Sequence, residues 1–154
     1  VVNNRMLERK SITGCRDALN GYQKGKCFYC FNDISIKSDS DELADVDHFF
    51  PHSLKPYGLG ELIDGVWNLV LACQSCNRGA NGKFALVPEL RFVQRLHNRN
   101  NFFIGSHHPL RETLIMQTGT TEPERRRFLQ GVYQSSKELL TKNWKPEAEN
   151  EPAF

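Results

Sequence analysis

Residues 66–79, VWNLVLACQSCNRG, join an apolar run to a Cys-x2-Cys turn and then to a polar segment. VWNLVLAC is rich in β-formers and reads as a strand. The segment after it, SCNRGANGKFALVPEL (75–90), predicts a short helix with Ser75 as its N-cap. The glycines Gly79 and Gly82 keep that helix brief. Strand, cysteine turn and helix follow within fourteen residues, and the two cysteines decide how the rest is arranged.

Upstream, KCFYCFND (26–33) supplies a second pair, so that Cys27-x2-Cys30 and Cys73-x2-Cys76 lie 42 residues apart. Each turn aims two thiolates at one point, and two turns complete the tetrahedron a structural zinc prefers. Two redox pairs or two disulfides are the alternatives. With four thiolates zinc has no open position for water, so it would staple the two turns and contribute to folding rather than to chemistry. Cys15, in ITGCRDALNGY, reads as a small core residue of a helix.

Between the pairs, ADVDHFFP (44–51) reads as a strand ended by Pro51. It places Asp47 against His48, with His52 just beyond. HSLKPYGLGELIDG (52–65) holds Pro56 and three glycines, so an irregular loop is expected. The local order is strand, long loop, strand, helix.

DVDHFFP, WNLVLAC and CNRG, in that order, resemble the His-Asn-His (HNH, ββα-metal) nuclease family in its zinc-stapled form. The matching segment covers residues 26–84. The resemblance implies an α+β fold with a small ββα-metal core and structural zinc, flanked by N- and C-terminal helices. It implies that His48 acts as the general base on water, a task that suits an imidazole titrating near neutrality. A structural histidine in a strand is the alternative. Asp47 and Asn77 are implied as ligands of a catalytic Mg²⁺ or Mn²⁺, and oxygen donors suit such hard ions. Asn68 is implied to pin the long loop and, through its backbone, the His48 ring. Arg78, Lys83 and His52 are expected to touch nucleic acid, or else to be plain surface residues. The family leaves 5′-phosphate and 3′-hydroxyl ends, and its substrate here is expected to be DNA, with RNA or a binding module that has lost cleavage as alternatives. Genome defence of the restriction kind, or a mobile element, is the natural setting.

Outside this segment, residues 1–25 read as a helical extension, with Met6, Leu7, Ile12, Cys15, Leu19 and Tyr22 as packing positions. Residues 85–154 read as a helical region packed on the core. In PELRFVQRLHNRNNFF, Leu90, Phe92, Val93 and Leu96 are expected inward and Arg91, Arg95 and Arg99 outward. TTEPERRRFLQGVYQSSKELLTKNW has a Thr cap and a Pro in its first turn, and predicts a long terminal helix.

Apolar content of 39% and charged content of 25% are ordinary for a globular protein. No apolar run approaches the ~18 residues of a membrane span. The first residues, VVNNRMLERK, carry charge where a signal peptide is apolar, which implies a cytoplasmic protein. A chain opening on Val1 without Met is expected to be part of something longer, with further domains or a second copy as partners. The net charge of +2 conceals blocks of +4 (residues 1–31), −6 (32–64) and +5 (78–111). An acidic loop between basic segments suits a cation beside phosphates, as well as it suits solvated faces.

Overall fold

The computed structural model describes residues 15–154 and gives a mixed α+β architecture. Met6, Leu7 and Ile12 lie outside the described residues. The described part of α1, residues 15–23, buries Leu19 and packs Cys15 and Tyr22 against the core. The chain leaves it through Lys24 and Gly25, both at positive φ (49° and 80°), conformations that end a helix.

A tight knuckle follows. Cys27 N–H donates to Asn32 O (2.8 Å) and Phe31 N–H to Cys27 O (3.1 Å), with an antiparallel bridge between Lys26 and Asp33. β1 (Asp45–His48) then pairs antiparallel with β2 (Leu69–Ala72), in the register Asp45 to Ala72 and His48 to Leu69. Both strands are shorter than their apolar runs. Phe49 and Phe50 leave the ladder to fill the core, and Val66–Asn68 form a 3₁₀ turn rather than the start of β2. The connection between the strands holds two more 3₁₀ segments, His52–Tyr57 and Gly60–Asp64.

β2 is buried on both faces and both edges. On the edge away from β1, the side-chain amide of Gln23 substitutes for a strand: its Nε2 donates to Leu71 O (2.8 Å) and its Oε1 accepts from Leu71 N–H (2.9 Å). Beyond β2, α2 (Gln74–Arg78) begins two residues earlier than a Ser75 cap would allow. Cys73 is its N-cap, with the sulfur accepting from Cys76 N–H at 3.4 Å. The chain then folds back sharply at Gly79, where a Cβ would sit 2.6 Å from Ser75 O. That return carries Lys83 beneath β1.

β3 (Val87–Pro88) pairs in parallel with β4 (Asn143–Trp144), and between them run α3 (Leu90–Gly105), α4 (Arg111–Thr118) and α5 (Glu122–Leu139). Thr121 caps α5 by accepting from Glu124 N–H, with Pro123 in the first turn. α3 buries Phe92, Val93 and Leu96, but three expectations for it fail. Leu90 is exposed. Arg99 is fully buried, because the 3₁₀ turn ahead of β2 leaves carbonyls in need of donors: its guanidinium donates to Leu69 O (2.8 Å), Trp67 O (3.1 Å) and Val66 O (3.2 Å). Burial pushes Arg99 down to about 10, with Tyr22, Tyr29 and Cys15 partly opposing it. Arg95 likewise turns inward, half-buried, donating to the Phe28 and Tyr29 carbonyls of the knuckle. Among the described residues no helix is long and apolar enough to cross a membrane.

Candidate metal centre and adjoining cavity

The knuckle and the start of α2 bring Cys27, Cys30, Cys73 and Cys76 together, all four sulfurs within 4.8 Å of one another. All are free thiols, and Cys30 Sγ lies 3.7 Å from Cys73 Sγ. Zinc–sulfur bonds near ~2.3 Å in a tetrahedron require sulfurs about 3.8 Å apart, so the cluster could hold a metal ion such as zinc with little adjustment. Backbone amides already face the sulfurs: Cys73 N–H to Cys27 Sγ (3.3 Å) and Asn32 N–H to Cys30 Sγ (3.5 Å). Hydrogen bonds from Cys27, Cys30 and Cys76 hold the Cys73 thiol far below its usual range, while the same contacts push Cys76 up. The four share protons that a cation would displace. Asn150, near the C-terminus, donates its backbone N–H to Cys30 O (2.9 Å) and straps this centre down.

A second feature lies along β1. Asp47, His48, His52 and Asn77 line one open cavity of about 290 Å³, with Val46 and Phe84 as apolar walls. Alternation along β1 sends Asp47 inward and His48 to the rim. Asp47 is almost fully buried. Its Oδ2 accepts from Tyr29 Oη–H (2.7 Å), and Lys83 Nζ lies 3.3 Å from both of its oxygens. Burial pushes the Asp47 carboxyl up, against the opposing pull of Lys83 and Tyr29, and burial pushes the Lys83 ammonium down.

His48 Nε2 lies 2.8 Å from Asp64 Oδ1, at the end of the long loop. Lys55 Nζ donates to the other oxygen of Asp64 (3.2 Å), and His52 Nε2 lies 3.6 Å from Oδ1. Burial pushes the Asp64 carboxyl up, but the bonds from His48 and Lys55 outweigh it and hold it below the usual carboxylate range.

Asn68 has no exposed surface. Its Oδ1 accepts from Phe50 N–H (2.8 Å), and its Nδ2 donates to Phe50 O and Ile63 O (both 2.9 Å). Its backbone carbonyl accepts from Phe49 N–H (2.7 Å), one residue beyond the expected His48. One side chain thus ties the exit of β1, beside His48, to the residue before Asp64. Asn68→Ala strands the amide of Phe50 in the core, at roughly 1–3 kcal/mol for each buried group left unpaired. A fall of several degrees in melting temperature, with a parallel loss of any activity that depends on His48, is the expected outcome in thermal melts and rate measurements.

The three residues expected to meet nucleic acid fare differently. His52 is exposed at the cavity rim. Arg78 is exposed but pairs with Asp45 (Nε to Oδ2, 2.8 Å). Lys83 is wholly buried: its ammonium is held by Asp47 and by His48 O (2.9 Å), so it is an internal cation rather than a surface contact. Asn77 Nδ2 donates to Asp45 (2.9 Å), which leaves Oδ1 as the atom it can offer a cation.

The chemistry of the donors fits a hard divalent ion. Asp47 and Asn77 both line that cavity, and a carboxylate has about four lone-pair sites, so contacts to Tyr29 and Lys83 do not exhaust it. Among the described residues the cysteine cluster is the one group of three or more His, Cys, Asp or Glu side chains gathered closely enough to hold an ion. A second ion would therefore have only two protein ligands, with water and phosphate completing its shell.

Asp64, Lys55, Asp45 and Tyr29 escaped the reading of the sequence. Asp64 and Lys55 lie in a loop without periodicity, and only the acidic character of residues 32–64 hinted at them. Compared with protein-family models, with curated proteins and with solved structures, the chain matches none.

Proposed function

We propose that the protein is a metal-dependent nuclease of the His-Asn-His type, hydrolysing phosphodiester bonds in nucleic acid, with DNA as the main substrate. What supports this is the convergence of His48, Asp47 and Asn77, from β1 and α2, on one cavity beside a tetrathiol cluster. The order β1, long loop, β2, α2 agrees with a ββα-metal core.

In this reading His48 takes a proton from the attacking water. Asp47 and Asn77 would hold a Mg²⁺ or Mn²⁺ ion, which would supply charge stabilisation for the phosphate and the leaving 3′ oxygen. Asn68 holds the loop so that His48 stays at the rim. The cysteine cluster, loaded with zinc, fixes the two chain segments on which these residues stand. A non-cleaving, zinc-dependent binding module is the second reading, and it draws on Asp47, whose oxygens Tyr29 and Lys83 already engage.

The test is cleavage of plasmid DNA and of a matched RNA at fixed salt, by zinc-loaded protein with and without added Mg²⁺ or Mn²⁺. Nicking or linearisation of the plasmid only with added ion is expected. Zinc-loaded, folded protein that binds but cuts neither substrate would establish the binding module instead.

A further inference from the structure

The His48 imidazole is not left to orient itself, and the group that holds it comes from the far end of the loop. Resting on the nuclease reading, we propose that Asp64 is the positioning residue of His48, fixing its tautomer so that Nδ1 is the nitrogen that receives the water proton.

The geometry carries this. Asp64 Oδ1 lies 2.8 Å from His48 Nε2, with both side chains largely shielded (14% and 19% exposed). Ion pairs on open surface contribute little, because neither partner is held in place. Here each partner is held separately. Lys55 Nζ takes the second oxygen of Asp64 at 3.2 Å, fixing the plane of the carboxylate. Asn68 grips Ile63 O just before Asp64, and Trp67 Nε1 grips Leu62 O (2.7 Å). On the other side, Lys83 Nζ grips His48 O. A neutral imidazole facing a carboxylate places its one N–H there, and the other nitrogen becomes the basic one. Nε2–H therefore donates to Asp64, and Nδ1 keeps the lone pair.

The step then balances. Nδ1 takes a proton from water as the water oxygen bonds to phosphorus. The bond from phosphorus to O3′ breaks, its electron pair stays on O3′, and solvent water protonates it. The imidazolium afterwards returns its proton to solvent.

Asp64→Asn keeps shape and removes the charge that selects the tautomer. The expected result is a kcat about 10- to 100-fold lower with KM for DNA little changed, in the range usual for a lost orienting partner. The independent readout is ¹⁵N NMR of the neutral His48 ring: Nε2–H in the native protein, a mixture of tautomers in Asp64→Asn. An unchanged tautomer, an unchanged kcat or a change confined to KM would overturn the assignment. The nuclease reading stands apart from it. It is His48→Ala that tests that reading, and an inactive His48→Ala beside a fully active Asp64→Asn removes only the role of Asp64.

Discussion

His48→Ala is expected to lower the rate of plasmid cleavage by about 10²- to 10⁴-fold, the range a positioned general base contributes. Zinc content and melting temperature should stay close to those of the native protein. The asymmetry follows from where the ring sits. Its backbone belongs to β1, paired with Leu69, and its carbonyl is held by Lys83, and neither contact needs the imidazole. The ring itself lies at the cavity rim, with a single hydrogen bond to Asp64. Deleting it loses that bond and opens no hole in the core. Measurements under saturating Mg²⁺ separate kcat from KM, and the drop belongs in kcat. A folded, zinc-loaded His48→Ala that cuts as fast as the native protein would remove the proposed mechanism.

Emptying the cysteine cluster of the metal it could hold should have the largest effect on the fold. Structural zinc sites bind with apparent free energies of about 10–16 kcal/mol, against the 5–15 kcal/mol by which whole domains are stable. The cluster anchors the knuckle at 27–30 to the junction of β2 and α2, and Phe28 N–H donates to Leu71 O (3.0 Å) just behind it. Phe28 and Tyr29, both without exposed surface, pack there against Phe49, Phe92 and Trp144. Cys76→Ser, or a strong chelator, is thus expected to abolish the cooperative thermal transition and release one zinc per chain, measured by metal analysis beside circular dichroism. An unchanged melt after complete zinc removal would show that the apolar core suffices alone.

The features written in local spacing were readable from the sequence: the two cysteine pairs, the strand–loop–strand–helix order, the Thr121 cap. The strand limits were not. Phe49, Phe50 and Trp67 look like ladder residues, yet their bulk is needed in the core, and the chain turns to place them there. Arg99 was misplaced because an outward arginine is the rule on an amphipathic helix; only the carbonyls at residues 66, 67 and 69, which all accept from its guanidinium, bring it inside. Ser75 looked like the helix cap because a cysteine is rarely one, while here the clustered sulfur of Cys73 does that work. Lys83 and Asp64 reach the candidate site by tertiary routes, one through the return at Gly79 and the other through a loop pinned by Asn68. Neither route has a period to read.

If the protein is the proposed nuclease, the ammonium buried against Asp47 bears on which ion it needs to fold and which only to cut. A carboxylate this deep would destabilise the domain if it stood alone, and an outside cation would then become a condition of survival. Lys83 neutralises it from within. Magnesium scarcity should accordingly leave the protein intact and idle, whereas zinc scarcity should prevent it from existing as a folded object at all.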